Sequence, residues 1–311
     1  MSFILYALIN TIFVLLVSPL FISLIKKVKA MTQGRQGPPV FQTYFMLLKL
    51  LKKERVYSVN SSLIMRITPY INIACILVAS LFVPLLYVPG PAAGIGNVIL
   101  FLYLLVCAKF FMALAGLDAG RTFGGMGSSR EMTVSAVVEP VIIIVFAALG
   151  LLMKTTNLHE IFSDSLESSL VFNPAAILVS LSLFIILIVE TSRIPVDNPE
   201  THLELTMIHE AMILEYSGSD LALMEISHSV KQTLLMAVLI NILVPFGLAS
   251  NPGILSLLIS ALMFIAKASI LAVVIGIVEA SFAKYRLFRL PNMFMLAFFF
   301  SFSTILFELL R

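Results

Sequence analysis

The sequence predicts an all-α fold: a polytopic membrane protein built as a bundle of eight transmembrane helices, with one amphipathic interfacial helix and one acidic cytoplasmic loop. Hydrophobic residues make up 60% of the chain, charged residues 12%, and the mean hydropathy is +1.05, which lies outside the range of soluble globular domains. The apolar residues come in blocks of about 20, the helix length that crosses a hydrocarbon core roughly 30 Å thick, and not in short alternating strands. These observations predict a single integral membrane domain over residues 1–311.

Eight apolar blocks define the predicted transmembrane spans. The first could be taken for a secretory signal peptide, but no basic residue precedes it, no small-residue cleavage pattern ends it, and Lys26, Lys27 and Lys29 follow it. We therefore expect an uncleaved anchor with its N-terminus outside. The seventh block is long enough to tilt or bend. The predicted spans are residues 3–25, 67–88, 96–117, 133–153, 173–193, 231–249, 253–280 and 290–310.

Residues 41–55 predict an amphipathic helix that lies on the membrane surface. Aromatic and leucine side chains recur at helical spacing along one stripe, and four basic side chains lie off that stripe. Two roles fit this pattern: anchoring the first cytoplasmic connection to anionic lipid, or clasping a partner subunit. The stripe consists of Phe41, Tyr44, Phe45, Leu48 and Leu51, and the basic side chains are Lys49, Lys52, Lys53 and Arg55.

Basic residues are unevenly distributed between the two sides of the predicted bundle. The connections 26–66, 118–132, 193–231 and 281–289 share one side and carry sixteen of the 20 lysine and arginine residues, whereas the other side carries two. The positive-inside rule makes the basic side cytoplasmic and places both termini outside. Because external connections such as 88–97 and 250–253 are short and rich in turn residues, we expect the working face on the cytoplasmic side.

Residues 194–230 form the predicted acidic cytoplasmic loop. Eight of the 17 aspartate and glutamate residues fall between positions 190 and 225. Such a run ordinarily forms a solvated surface, which is the interpretation for Asp220 and Glu225. The spacing of two other pairs predicts that part of the loop dips back toward the membrane and lines a polar cavity. These pairs are Glu200 with Glu204, one helical turn apart, and Glu210 with Glu215, which flank the apolar insert AMIL.

Charged side chains also lie within the spans or at their ends. A charge near the middle of a bilayer costs several kcal/mol. Since burial raises the pKa of a carboxyl group and a nearby cation lowers it, carboxylates grouped around lysine or arginine can exchange protons near neutral pH. A proton relay and a structural ion pair both fit Glu139, and both fit Lys267 and Glu279. The cytoplasmic ends of the third and fourth spans add Lys109, Asp118, Arg130 and Glu131.

No motif predicts chemistry on this chain. Cys75 and Cys107 both lie in predicted spans, without metal-ligand spacing, and only His202 and His209 of the four histidines share a loop. The sequence contains no glycine-rich phosphate loop, nucleophile elbow or iron–sulfur cysteine pattern. We therefore expect no catalytic residue, no metal, no redox centre and no nucleic-acid partner.

Four segments resemble, in order and spacing, the heel subunit shared by complex I, the NADH:quinone oxidoreductase, and the group 4 membrane-bound hydrogenases. The resemblance extends over nearly the whole chain. Within the family, the second segment looks like the hydrogenase branch, as in the formate hydrogenlyase membrane subunits, whereas the arginine of ETSRIP is typical of complex I. The segments are RQGPPVFQTYFMLLKLLKKE (35–54), LDAGRTFGGMGSSRE with VVEP (117–140), ETSRIPVDNPETHLEL (190–205) and LEYSG (214–218).

The resemblance implies an eight-helix subunit in the cytoplasmic (inner) membrane of a prokaryote. It implies hydrogenase-like large and small subunits and iron–sulfur subunits on the cytoplasmic side, antiporter-like subunits in the membrane, and the lipid bilayer around them. The [NiFe] centre and the iron–sulfur clusters would belong to those partners, and this chain would bind no cofactor. Ser192 and Val196 depart from the asparagine and phenylalanine common in complex I, which puts quinone binding in doubt.

Matching motif positions also implies the residues that couple electron transfer to ion movement. Glu190 would close the fifth helix, Arg193 could pair with it at the i, i+3 spacing, and Pro195 would stop the helix. The acidic loop would then face the terminal iron–sulfur cluster of a partner. The implied residues are Glu131, Glu139, Glu190, Arg193, Asp197, Glu200, Glu204, Glu210 and Glu215.

The leading hypothesis is a membrane subunit that anchors a cytoplasmic redox module and couples its electron transfer to H⁺ or Na⁺ translocation through buried carboxylates. One alternative is a subunit that forms the quinone site of an NADH:quinone oxidoreductase. Another is a stand-alone ion-coupled secondary transporter that uses Glu139 and Glu190, although such transporters tend to show inverted repeats and this sequence shows none. A fourth possibility is a purely structural anchor for soluble subunits.

Overall fold

The structure is a computed structural model that describes residues 3–88, 96–167, 173–198, 207–249 and 253–310. Within these ranges the fold consists of α-helices, a 3₁₀-helix over Leu287–Arg289 and their connections, with two isolated bridges and no β-strand. The helices are α1 (Phe3–Thr32), α2 (Gln42–Leu51), α3 (Leu63–Ser80), α4 (Val98–Asp118), α5 (Thr122–Met153), α6 (Leu158–Glu167), α7 (Pro174–Glu190), α8 (His209–Ile213), α9 (Gly218–Leu243), α10 (Ile254–Ser281) and α11 (Leu290–Leu310).

The all-α, multi-pass membrane fold is confirmed. Seven helices in the described part of the chain are long and apolar enough to cross a membrane. They are α1, α3, α4, α5, α9, α10 and a helical stretch that contains α11. The remaining predicted span corresponds to α7, which has 17 residues and so stands at the lower limit for a spanning helix.

Successive long helices alternate in direction, so the bundle has two chemically different ends. The connections after α1, α4, α7 and α10 lie at one end, which we call the basic end because most lysine and arginine residues are there. At the opposite end, one bridge joins Tyr87 to Ala249 and another joins Asn97 to Asn157. These bridges tie together the connections that follow α3, α9 and α5.

Polar turns extend three helices beyond the predicted spans at the basic end. α1 continues to Thr32, α5 begins at Thr122 and not at 133, and α9 begins at Gly218 and not at 231. Helical hydrogen bonds continue past the apolar part of a span, and hydropathy alone does not register those turns. The acidic loop is therefore shorter than the predicted 194–230, because its last part is helical.

The second predicted span is too long at the opposite end. α3 ends at Ser80, and residues 81–88 are not helical. Nδ2 of Asn10 on α1 donates to the carbonyl oxygens of Ser80 and Val83 at 2.7 and 3.1 Å, and its Oδ1 accepts from the Leu85 amide at 3.2 Å. One buried amide side chain thus pairs backbone groups that a helix end leaves open.

The predicted amphipathic helix is α2, which ends at Leu51 and is shorter than the predicted 41–55. Thr43 and Leu47 are buried against the bundle, and the Thr43 hydroxyl lies 2.6 Å from the Ser23 hydroxyl of α1. Most of the predicted apolar stripe lies on the outer surface of the protein. Its exposed members are Phe41, Phe45, Leu48 and Leu51.

Glycines bring α4, α5 and α8 into close contact at the basic end. A Cβ atom on Gly124 of α5 would lie 2.5 Å from the carbonyl oxygen of Gly116 on α4. A Cβ atom on Gly127 would lie 2.8 Å from Cβ of Ala211 and 2.9 Å from the carbonyl oxygen of Ile208. Since real Cβ atoms do not approach this closely, only glycine permits the packing that seats α8 on α5.

Candidate functional site: a buried cluster of ion pairs

Glu190, the last residue of α7, lies between two lysines. Nζ of Lys109 on α4 donates to Oε1 at 2.6 Å, and Nζ of Lys231 on α9 donates to Oε2 at 2.6 Å. Only 7% of Glu190 is exposed. Because the C-terminal end of a helix carries partial negative charge, a carboxylate there needs nearby cations, and two charge-assisted hydrogen bonds supply them. One carboxylate therefore joins three helices.

Lys109 also faces a second carboxylate, that of Glu131 on α5. Its Nζ lies 4.0 Å from Oε1 of Glu131, and both residues are buried. The ammonium group is thus shared by Glu131 and Glu190, which are contributed by different helices. The structure brings together three of the residues that the sequence singled out, although they lie far apart along the chain.

Glu139 lies further along α5 and lines a large cleft. The cleft has a volume of about 930 Å³, and its walls are mainly apolar side chains of α4 and α5, with Glu190 among its other lining residues. Within the described residues, Glu139 forms no hydrogen bond or ion pair, although it lies within electrostatic range of Lys109. Glu139 therefore extends the cluster of acids from Glu190 toward the surface of the bundle that would face lipid or a neighbouring subunit.

A second buried group surrounds Arg193. Its Nη1 lies 3.4 Å from Oε1 of Glu279 on α10, and its Nη2 donates to Oε1 of Gln232 on α9 at 2.6 Å. Nζ of Lys29 on α1 lies 3.8 Å from Oε2 of Glu279. This group connects the turn after α7 to three further helices.

The predicted pairing of Arg193 with Glu190 is wrong. α7 ends at Glu190, and Ser192 adopts a positive φ of 48°, so the chain turns before it reaches Arg193. Side chains at the i, i+3 spacing meet only where the helix continues. Arg193 instead pairs with Glu279, and Glu190 pairs with lysines from two other helices.

Asp197 holds the segment between α7 and α8 in place. Its Oδ1 accepts from Nζ of Lys284 at 2.6 Å, and its Oδ2 accepts from the backbone amides of Ile208 and His209 at 3.0 and 3.1 Å. Only 1% of Asp197 is exposed. The carboxylate pairs amides at the start of α8, whose first turn lacks internal acceptors. Asp197 thereby fixes α8 against the turn that carries Arg193.

Two small polar cavities lie within this network. The first, which we call the Glu190 cavity, has a volume of about 30 Å³ and is also lined by Lys109, Glu131 and Lys231. The second, which we call the Glu210 cavity, has a volume of about 50 Å³. Its charged lining residues are Lys26, Arg193, Asp197, Glu210 and Glu225.

Glu210 on α8 is the acid in this region that is best placed to change its protonation at neutral pH. Burial raises the pKa of Glu210 to about 7, the negative charge of Glu225 adds to the rise, and Lys26 opposes it. A group with a pKa near 7 takes up and releases protons efficiently at physiological pH. Glu210 is therefore suited to exchange protons with the Glu210 cavity.

Three of the predicted residues have contacts outside the cluster. Oδ2 of Asp118 accepts from the Ser62 amide at 2.9 Å, at the start of α3. Nη1 of Arg130 donates to the carbonyl oxygen of Met207 at 2.9 Å. The carboxylate of Glu215 lies 4.0 Å from Nε of exposed Arg121, a surface ion pair of little energetic weight.

Lys267 and Glu279 belong to different surroundings although both lie on α10. Nζ of Lys267 donates to the carbonyl oxygens of Val244, at 2.9 Å, and Phe246. It thus pairs backbone groups just after α9 and does not join the ion pairs at the basic end. The predicted residues Glu200 and Glu204 lie outside the described residues.

The interpretation of Asp220 as a solvated loop residue is wrong. Asp220 lies in the first turn of α9 and is 1% exposed. Its Oδ1 lies 3.3 Å from Nε of Arg55, and its Oδ2 accepts from the Tyr57 hydroxyl at 2.6 Å. Glu225 is also on α9 and lines the Glu210 cavity. The acidic run was misleading because its last part is helical and packs against the first connection.

The sequence did not single out several residues of the network. In the sequence Lys231 stands at the edge of the predicted connection 193–231, yet it lies well inside α9. Its partner Glu190 is 41 positions away in the chain, a separation that no local pattern reveals. The signal in the sequence that could have identified Lys231 is a basic residue at the first position of an apolar block, with no acidic residue close to it in the chain. The other residues missed are Lys29, Gln232, Lys284, His209 and His228.

The described residues contain no group of three or more histidine, cysteine, aspartate or glutamate side chains that could hold a metal ion. Cys75 and Cys107 are free thiols. The polar side chains of the cluster are instead arranged as alternating acids and bases. Such an arrangement holds and transfers protons, or balances the charge of a passing cation, at the end of an otherwise apolar bundle.

Comparisons with known proteins agree with this architecture. The family model described as NADH dehydrogenase matches residues 4–309. The chain is 31% identical over 295 residues to hydrogenase-4 component C of Escherichia coli (strain K12), which covers 95% of this chain and 92% of the relative. It is 29% identical over 299 residues to formate hydrogenlyase subunit 4 of the same organism, with 96% of each chain covered.

A solved structure has the same fold. A chain of the membrane-bound sulfane sulfur reductase, an archaeal respiratory membrane complex, matches 98% of this chain and 100% of its own length with a TM-score of 0.81. The sequence identity is 19%, so this likeness concerns the fold alone.

Proposed function

This chain belongs to the NADH dehydrogenase family, and from that premise we propose that it is the membrane subunit of a hydrogenase-type, complex I-like respiratory complex that couples electron transfer to H⁺ or Na⁺ translocation. The two curated relatives are a hydrogenase component and a formate hydrogenlyase subunit, which favours the hydrogenase branch. The chain matches each of them over more than nine-tenths of its length. The proposal therefore concerns a subunit within an assembly and not a stand-alone transporter.

The redox chemistry in this proposal belongs to partner subunits. A [NiFe] centre and iron–sulfur clusters would be held by hydrogenase-like large and small subunits and iron–sulfur subunits docked at the basic end. Antiporter-like subunits would lie beside this chain in the membrane. The uneven distribution of basic residues supports a cytoplasmic location for the basic end, with both termini outside, in the inner membrane of a prokaryote.

The observation that carries the proposal is the buried carboxylate of Glu190 between two lysines. Its two 2.6 Å hydrogen bonds come from α4 and α9, so a small movement of either helix changes the pairing. A buried carboxylate is costly unless it is paired. When Lys231 moves away, the single remaining pair with Lys109 offsets less of the cost of burying the Glu190 carboxylate. Glu190 then takes up a proton or attracts another cation.

The position of Asp197 links this pairing to the docked redox partner. Asp197 connects the turn after α7 with α8 and with Lys284 in the connection after α10. A change in charge or conformation of the partner at the basic end would move this segment, and with it Arg193 and the adjacent end of α7. The displacement would change the pairing of Glu190, and the altered charge would act on Glu131 and Glu139 through Lys109.

Glu139→Gln is the cleanest test of the proposal. Glutamine keeps the size of the side chain and removes its charge, and Glu139 has no ion pair among the described residues that the change would break. In sealed vesicles that contain the intact complex, we expect hydrogen-linked redox turnover and the resulting ion gradient both to fall, by about tenfold or more. A protonophore and a sodium ionophore separate the two candidate ions.

Glu308→Gln provides a matched control, because α11 starts at the basic end and Glu308 lies near its other end, away from the cluster. We expect this variant to keep wild-type turnover and gradient. If Glu139→Gln assembles normally and leaves both quantities unchanged, ion transfer does not use Glu139, and the chain serves as a structural anchor.

A further inference from the structure

Two histidines lie side by side at the basic end and take no part in the ion pairs. His209 is the first residue of α8, and His228 lies on α9. Their ring centroids are 4.7 Å apart, and the ring planes are inclined by 45°. Within the described residues, no hydrogen bond is formed by a ring nitrogen of either histidine. Four ring nitrogens are thus available to the cavities beside them.

The histidine pair lies between the Glu190 cavity and the Glu210 cavity. His209 and His228 line both cavities, and among the described lining residues only Ser192 shares this property. The volumes of about 30 and 50 Å³ suffice for roughly two and four water molecules, since one water needs about 10–15 Å³. The two imidazole rings and Ser192 are therefore the described groups that a proton can contact from both cavities.

The charges around His209 favour a neutral ring. Lys231, Arg193 and Lys109 act against a positive charge on His209, and Asp197 acts in the opposite sense. The acids Glu190, Glu210 and Glu225 line the adjoining cavities. Burial, followed by the charge of Lys231, lowers the pKa of His209 to about 4. His209 is thus neutral at physiological pH.

A neutral imidazole can pass a proton on without holding a charge. One ring nitrogen carries a hydrogen and the other has a free electron pair, so a proton that binds the second nitrogen can be matched by release from the first. The ring then returns to its starting tautomer by rotation or by exchange with water. Such a group transfers protons, and the positive charges of the surrounding lysines and arginine keep it from retaining an extra proton.

We propose that His209 and His228 form a proton gate between the Glu210 cavity and the Glu190 cavity. A proton leaves the carboxyl group of Glu210, enters the gate at one ring nitrogen, and an equivalent proton leaves another ring nitrogen for the carboxylate of Glu190 or Glu131. Glu210 becomes negative, the receiving carboxylate becomes neutral, and the histidines end uncharged. This proposal rests on the proposed coupling function, and it specifies the route that protons take at the basic end.

The test replaces each histidine by glutamine in the intact complex. Glutamine keeps a polar side chain of similar size but cannot exchange protons through a ring. We expect either variant to lower the membrane potential built per redox turnover in sealed vesicles by about 10²-fold, the scale of a lost acid–base group. Leu239→Met, an apolar change on the same helix as His228 that lies away from both cavities, is the control and should keep the wild-type potential.

Chemical rescue separates a proton gate from a packing role. His228→Ala leaves space for added imidazole, which should restore most of the membrane potential per turnover. N-methylimidazole fills the same space but has only one nitrogen that exchanges protons, and it should not restore the potential. The potential is recorded because weak bases collapse a pH gradient without collapsing the electrical component.

Two outcomes would overturn the gate: wild-type potential in both glutamine variants, or equal rescue by the two imidazoles. If Glu139→Gln loses the ion gradient while the histidine variants keep it, the gate is wrong and the coupling function stands. If Glu139→Gln and both histidine variants keep the gradient, the coupling function fails as well. His→Asn variants replace the glutamine variants if the latter do not assemble.

Discussion

The carboxylate of Glu190 accepts hydrogen bonds from Lys109 and Lys231 at the same time, and it is the closest acidic partner of each lysine. Arg193 and Lys29 share Glu279 in the same manner. Removing one partner of a buried ion pair costs about 3–5 kcal/mol, because the other charge stays buried without compensation. At the scale of single residues, the cluster is stable only while its charges balance, which makes it responsive to one added or removed charge.

Glu210 gives this balance a pH dependence. Burial raises the pKa of Glu210 to about 7 from its ordinary 4.5. Between these two values the folded protein holds a proton that the unfolded chain has released, so the free energy of unfolding falls as the pH rises through this window. One pKa unit corresponds to about 1.4 kcal/mol, which puts the full effect at roughly 3 kcal/mol.

Glu210→Gln should remove this fall in stability. The measurement is the melting temperature of the purified complex in detergent from about pH 5 to about pH 8, compared between wild type and variant. His209 acts in the opposite sense, since its pKa is lowered to about 4 and the unfolded chain binds the extra proton. The difference between the wild-type and variant curves isolates the contribution of Glu210, because His209 contributes equally to both. Parallel curves would show that Glu210 titrates at its ordinary pKa.

At the scale of elements, the first connection of the basic end is fastened to the start of α9. The Val56 amide donates to the Ser217 hydroxyl at 2.7 Å, and Nε of Arg55 donates to the Ser219 hydroxyl at 2.5 Å. Gly218 permits this contact, because it has a positive φ of 56° and a Cβ atom there would lie 2.4 Å from the carbonyl oxygen of Glu54. The helix that carries His228 and Lys231 is thus positioned from its first turn.

Gly218→Ala should therefore lower the free energy of unfolding by at least about 2 kcal/mol, because a Cβ atom disfavours positive φ and meets backbone oxygen. Gly125→Ala is the control, since nothing lies within 4 Å of a Cβ atom at that helical position. The control should change stability by no more than about 1 kcal/mol, in the stabilising direction. Thermal unfolding of both variants in detergent measures the difference. Equal melting temperatures would mean that the connection is not tightly held.

The elements that could be predicted from the sequence are those whose signal is local. Runs of apolar residues located every long helix, and the stripe over 41–55 located α2. The polar turns of α5 and α9 were missed because glycine, serine and charged residues give no hydropathy signal. Charge at the ends of apolar spans identifies Lys109 and Glu131, and the family resemblance identifies Glu190. The partners of Arg193 and the role of Lys231 depend on packing between distant segments.

At the scale of the whole molecule, the acids form a path from the basic end to the side of the bundle. The Glu210 cavity lies at the basic end, the Glu190 cavity adjoins it, and the cleft of about 930 Å³ beside Glu139 and Glu190 opens between α4 and α5. Tyr87, Ala249, Asn97 and Asn157 bridge the opposite end, where the described residues have no comparable cluster of ion pairs. This asymmetry fits a subunit in which a change in charge or conformation at the basic end alters the acids that line the cleft on the side of the bundle.

The most direct test of the account is the number of ions moved per electron pair by Glu190→Gln in sealed vesicles that contain the intact complex. We expect redox turnover to persist in detergent, while the ion-to-electron ratio falls about tenfold or more, because Lys109 and Lys231 lose the carboxylate they share. Glu190→Asp keeps the charge and should retain part of the ratio. A wild-type ratio in assembled Glu190→Gln would contradict the account.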